Sequence, residues 1–172
     1  MKKMVSLFLL FAAIVSTTQS CAQDEDKSKR PSPPATFTAS NNGLNIKIDY
    51  SQPAVKGRTI GKDIAPYGEV WRTGANEATT FEVNRDVTVE GKSLPAGKYA
   101  LFTIPGENEW TLIFNKQAAQ WGAYKYDQSQ DALRVNVKPT KAPAATERMT
   151  FAQKGNNIAL LWGDTQVNFA VK

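Results

Sequence analysis

Between Leu44 and Tyr50 an apolar side chain falls on every second residue: Leu44, Ile46, Ile48 and Tyr50, with Asn45, Lys47 and Asp49 between them. A period of two puts the apolar set on one face of an extended strand and the polar set on the other. Shorter apolar runs follow: Phe81 with Val83, Val87 with Val89, Trp110 to Phe114, Leu133 to Val137, Met149 to Ala152, Ile158 to Trp162 and Val167 to Val171. Residues 98–104 are apolar on both alternating sets, so both faces of that strand are expected to be covered. Sustained helical periodicity is missing, and only residues 115–120 read as one helical turn. Turn residues separate the runs. Asn41-Asn42-Gly43 supplies the positive φ angles of a type I′ hairpin. Glu90-Gly91-Lys92, Gly155-Asn156-Asn157 and Gly163-Asp164 read as further turns, and Pro105-Gly106 as type II. The pattern predicts an all-β fold, a single antiparallel β-sandwich or open barrel, over residues 35–172.

The first twenty residues follow a different rule. Lys2 and Lys3 precede the apolar run from Val5 to Val15, and small and polar residues follow up to Ser20. That order is a secretory signal peptide, residues 1–20. Cys21 comes next and is the only cysteine in the chain. The junction resembles a bacterial lipoprotein signal, in which the cysteine is lipidated and becomes the new N-terminus. Thr18 and Gln19 depart from the residues that pattern prefers. A cut after Ala22 is the alternative, and it leaves a protein secreted to the periplasm without an anchor. Ala22 in place of aspartate implies, by resemblance to lipoprotein sorting signals, the outer membrane. Asp24 to Asp26 resembles an acidic surface-export tag or else is plain solvated linker. Residues 21–34, charged and proline-punctuated, read as a flexible tether.

Composition closes several routes. The chain has no histidine, which removes the commonest general base and the commonest zinc ligand. Loss of Lys2 and Lys3 with the leader takes the net charge from +5 to +3. The remaining cations are scattered, and no nucleic-acid footprint is read. No cofactor or metal is expected.

The stretch 57–83 is unlike the rest. It sets Arg58, Asp63, Glu69, Trp71, Arg72, Asn76 and Glu77 among four glycines, the composition of a shaped loop. With Gly57-Arg58, the block from Tyr67 to Glu77 (YGEVWRTGANE) and Leu94-Pro95-Ala96-Gly97-Lys98-Tyr99, the chain resembles an uncharacterised bacterial family, domain of unknown function 2911. The resemblance runs from about Pro31 to Val137. It implies a secreted or lipid-anchored protein and carries no activity.

Four readings of these residues compete. Glu69 and Glu77 are the candidate catalytic carboxylates of a glycan hydrolase, which needs two carboxyl groups about 5–10 Å apart across one cleft. Arg58 and Arg72 are candidate clamps for an acidic ligand, or scaffold arginines paired with Asp63, Glu69 or Glu77; on the scaffold reading Arg72→Ala is strongly destabilising. Trp71, Trp121, Tyr124 and Tyr126 are candidate stacking surfaces for a sugar, with Trp71 equally readable as core. Asn76 with Glu77 or Asp63 lacks the spacing of a calcium loop. The expectation is a lipid-anchored envelope module that binds a glycan or an acidic small molecule, or is structural, without catalysis. The alternative is the carboxylate-dependent hydrolase. Ligand-binding candidates are Arg58, Trp71, Arg72, Asn76, Glu77, Trp121 and Tyr124.

The anchor is directly testable. Each acyl methylene buried in a bilayer is worth about 0.8 kcal/mol, so losing the chains abolishes stable attachment. Cys21→Ser is expected to move the protein from the membrane pellet to the soluble fraction; a variant that still pellets like the wild type refutes lipidation at Cys21.

Overall fold

The computed structural model describes residues 26–155 and 157–172; the leader and Cys21 lie outside them. Ten strands follow in chain order: β1 (Pro34–Asn41), β2 (Leu44–Ser51), β3 (Thr80–Val83), β4 (Val87–Val89), β5 (Lys92–Leu94), β6 (Gly97–Ile104), β7 (Trp110–Asn115), β8 (Asp131–Val137), β9 (Pro139–Lys154) and β10 (Asn157–Ala170). The described residues contain only two short 3-10 turns besides, Lys27–Lys29 and Gln128–Gln130.

Six strands form one antiparallel sheet in the order β1-β2-β3-β6-β7-β8. The β1–β2 turn is the type I′ hairpin expected, with Asn42 at φ 47° and Gly43 at φ 78°. The second layer is built on the long β9–β10 hairpin. On one side it meets the β4–β5 hairpin, where Thr88 and Lys172 exchange backbone hydrogen bonds of 2.8 and 3.0 Å. On the other it meets residues 53–55: Met149 N–H donates to Pro53 O at 3.0 Å, and Val55 N–H to Glu147 O at 2.9 Å. The result is an all-β antiparallel sandwich, with no closed barrel among the described residues.

The alternation read in β2 does what the period requires. Leu44, Ile46, Ile48 and Tyr50 face the second layer and are buried, while Asn45 and Lys47 are exposed. Phe81, Leu101, Leu112, Phe114 and Val135 continue that face, and Met149, Phe151, Leu160, Trp162, Val167 and Phe169 meet it from β9 and β10. Each large apolar side chain buried here contributes about 1.5–3 kcal/mol. The far side of β6 and β7 is covered as well. Ala100, Phe102 and Ile113 lie beneath Val70 and Ala78 of the central stretch and beneath Ala123 and Tyr126 of the loop 116–127. That second, smaller core brings the two unusual segments of the chain together.

Three local expectations change. Residues 115–120 form no helical turn; the buried Asn115 side chain accepts from Gln117 N–H at 3.0 Å and donates to Asp127 O and Asp131 Oδ1, fixing an irregular path. Gly106 is not at positive φ, so Pro105-Gly106 is not a type II turn; a Cβ there would stand 2.4 Å from Glu109 O. Gly163-Asp164 does not end a strand. It sits inside β10 where the register with β9 shifts, so the turn signal marks a β-bulge. The three short runs near the C-terminus are therefore two long strands.

Gly163 carries φ 57°, and an added Cβ would meet Ile60 Cδ1 at 3.0 Å. Gly163→Ala is expected to lower stability by about 1–2 kcal/mol, read as a lower urea midpoint at unchanged slope. An unchanged midpoint would show that the bulge tolerates a side chain.

Candidate functional site

The central stretch is pinned to the sheet by its own backbone. Trp71 N–H donates to Thr103 O at 2.7 Å, and Thr103 N–H returns to Trp71 O at 2.9 Å. Buried hydroxyls lock the next bend: Thr79 Oγ1 donates to Thr73 O at 2.7 Å, and Thr73 Oγ1 lies 3.2 Å from Thr103 Oγ1. Ala78 N–H then reaches Gln120 O at 3.0 Å, and Gly122 N–H reaches Asn76 O at 3.1 Å, so the stretch pairs with the loop 116–127. That loop is held from the other side by Asp131. Its Oδ2 accepts from Tyr126 Oη at 2.6 Å and from Arg134 Nε at 2.7 Å, its Oδ1 accepts from Asn115, and Arg134 also bonds the Tyr126 hydroxyl. Burial, then the Asp131 carboxylate, push the Tyr126 phenol above its ordinary value.

The sequence-predicted residues separate into three places. Trp71 points inward: its ring stacks on Trp162 at 5.1 Å and 9°, and meets Trp110 edge-on at 6.3 Å. Tyr126 also turns inward, edge-on to Phe102 at 5.1 Å. Neither is an open stacking surface. Arg58 folds back on its own loop, donating to Ala54 O at 2.7 Å and Val55 O at 3.1 Å.

The second place is a cleft lined by Pro66, Glu69, Val70, Trp71, Arg72, Ala123 and Tyr124. The Arg72 side chain and the Tyr124 ring both crowd the open face of Gly122, where an added Cβ would stand 2.8 Å from Arg72 Nη1 and 2.9 Å from Tyr124 Cε2. Arg72 makes no ion pair with a described residue, and its shielded Nε has no hydrogen-bond partner. Tyr124 is 83% exposed.

The third place is built around Glu77 and Trp121, which pair in an isolated β-bridge. Glu77 accepts from Arg30 Nη1 at 3.1 and 3.0 Å, and Lys27 Nζ lies at 3.1 Å. The Arg30 guanidinium carbon stands 5.9 Å from the centre of the Trp121 ring, which is 55% exposed. Asn76 Nδ2 donates to Ser32 O at 3.1 Å and to Ser51 Oγ at 3.3 Å. Residues 27–33, read as the end of a tether, thus lie against the domain.

The scaffold reading of the arginines changes in its partners. Asp63 accepts from Thr59 N–H at 2.8 Å within its own turn. Glu77 is paired, with Arg30 rather than Arg58 or Arg72, and exposed Glu69 has no ion-pair partner among the described residues. Arg72 has no ion pair with a described residue, so the buried pair behind its expected stabilising role is not found. The Lys27 and Arg30 contacts escape a sequence reading because Glu77 lies far from both in the chain, 47 residues from Arg30. The Tyr126–Asp131–Arg134 network joins near neighbours in sequence but carries no recognisable motif.

Burial raises the Glu77 carboxyl, but its own backbone N–H, Lys27 and Arg30 outweigh this and hold it below its ordinary value of 4.5. A carboxyl depressed by folding stabilises the docked form above its unfolded value and loses that contribution as pH falls through the folded one. Contacts of residues 27–33 are therefore expected to be intact at pH 7 and to weaken below about pH 4.5. Amide hydrogen exchange around 30–33 and 76–77 reads this out; protection that stays constant down to pH 3 would refute it.

Residues 32–171 match the family model described as a protein of unknown function (DUF2911), which carries the likeness past Val137 through β9 and β10. No curated protein and no solved structure matches the chain.

Proposed function

We propose that this chain, which belongs to the DUF2911 family, is a non-catalytic envelope module that binds an anionic glycan or a small acid between Arg72 and Tyr124. The observation that carries the reading is a guanidinium without a carboxylate partner beside an exposed aromatic ring. A guanidinium gives a carboxylate or phosphate two parallel donors. A phenol ring gives a pyranose an apolar face, and its two side-chain torsions leave little entropy to lose. The cleft walls are set before any ligand arrives, since Trp71 and the Asp131 network fix the two segments that form them; preorganisation lowers the cost of binding.

The hydrolase reading finds no support in the geometry. Glu69 and Glu77 line different clefts, and Glu77 is held by two cations. The envelope location rests on the sequence: the leader, Cys21 and the short distance in chain from Cys21 to the docked segment at Lys27. Anchored there, the module would hold its ligand close to the membrane surface.

Titration calorimetry with uronic-acid oligosaccharides against neutral ones tests the site. The acidic series is expected to bind better, and Arg72→Gln and Tyr124→Ala are each expected to weaken it about tenfold or more, the size of one charge-assisted hydrogen bond or one stacking contact. Arg72→Gln is expected to leave the urea midpoint nearly unchanged. Equal affinity for neutral and acidic sugars, or none for either, would sink the proposal.

A further inference from the structure

Residues 27–33 are held by their own domain in the way a bound peptide is held. Three successive carbonyls each accept a hydrogen bond from a different element. Pro31 O takes Arg148 Nη1 at 3.1 Å, Ser32 O takes Asn76 Nδ2 at 3.1 Å, and Pro33 O takes the Gln52 backbone N–H at 2.9 Å. Hydrogen bonds to the main chain give affinity for a segment with little regard to its side chains, and pockets for particular side chains give specificity. Here the specificity falls on Arg30. Its guanidinium pairs with Glu77 and lies over the Trp121 ring. A carboxylate on one side and an aromatic face on the other select a flat cation over a neutral side chain. Lys27 adds a second cation to the same carboxylate. Pro31 and Pro33 each fix a φ angle, which lowers the entropy lost when the segment is held through its 3-10 turn at Lys27–Lys29 and the bends at residues 30–32.

We infer that Glu77, Trp121, Asn76, Gln52 and Arg148 form a recognition groove for an arginine-bearing, proline-punctuated peptide that enters in a turn, and that residues 27–33 are its resident ligand. This groove is separate from the Arg72–Tyr124 cleft and does not depend on the function proposed there. The occupant from outside is a segment of another polypeptide with the same chemistry: a cation, then successive backbone carbonyls in a bent, proline-punctuated stretch. The resident segment is covalently attached, so an incoming peptide competes with an effective concentration on the order of millimolar. The groove is closed in the isolated chain and opens when the segment is drawn away.

A fluorescent peptide of residues 27–34, Lys-Ser-Lys-Arg-Pro-Ser-Pro-Pro, tests this against the whole chain by fluorescence anisotropy. Lys27→Glu combined with Arg30→Glu places acids against Glu77 and expels the resident segment; Arg30→Gln is the milder variant should the double change disturb folding. The peptide is expected to bind these variants at least tenfold more tightly than the wild type. Adding Glu77→Gln, or replacing the peptide's arginine by alanine, is expected to remove that gain. Peptide binding that is absent from both opened variants while they remain folded by near-UV circular dichroism overturns the inference. Binding that is indifferent to Glu77→Gln overturns it equally.

Discussion

The stacking of Trp71 on Trp162 is the contact on which the arrangement of the site depends. Trp162 belongs to β10 in the second layer, Trp110 belongs to β7 in the first, and Trp71 belongs to neither sheet. The ring of a loop residue therefore enters the space between the two layers. An aromatic pair adds about 0.5–1.5 kcal/mol beyond the area it buries, and the reciprocal hydrogen bonds between Trp71 and Thr103 fix the backbone that carries it. With Trp71 turned inward, its neighbour Arg72 is delivered to the outer cleft. The central stretch thus has an apolar anchor and a polar outer side set by adjacent residues, as on a strand.

A second constraint acts on the loop 116–127. Asp131 is nearly buried, with its side chain 8% exposed, and it meets three donors at once from Tyr126, Arg134 and Asn115. A buried carboxylate with that many charge-assisted or neutral hydrogen bonds is satisfied, whereas removal of one donor would leave it costly. Tyr126 is drawn in by this network and by Phe102, which leaves Trp121 and Tyr124 on the outside of a loop that cannot collapse over them. Exposure of these two rings follows from the burial of the third.

The fold was legible because its strands report their burial one residue at a time. Leu44 to Tyr50 announces a half-buried strand, Asn42-Gly43 announces its hairpin, and residues 98–104 announce a strand covered on both faces. What failed were glycine signals whose cause is not written in the residue. Gly163 makes a bulge and Gly106 makes room for Glu109 O; a turn needs glycine for a third reason, and the three look alike in sequence. The site was half legible. The block from Tyr67 to Glu77 singled out Arg72, Asn76 and Glu77, all of which line or brace a cleft. Nothing in it could say which cation answers Glu77, because Arg30 is 47 residues away. The charged, proline-rich run that carries Arg30 has the composition of a linker, and composition reports how much apolar area a segment offers, not which carbonyls it lends to a neighbour.

That choice of partner decides the electrostatics of the groove around Glu77. A carboxylate satisfied by Lys27 and Arg30 has little left to offer another cation. One acid and two cations are combined at the groove, and at the outer cleft a guanidinium with a shielded, unpartnered Nε shares the lining with exposed Glu69, which has no ion-pair partner among the described residues. A partly shielded cation attracts an anion more strongly than one in bulk water, because the intervening medium screens less. With Glu77 taken by the N-terminal segment, the attraction of the outer cleft for an anion rests on the Arg72 donors rather than on a net positive charge, since Glu69 shares that cleft.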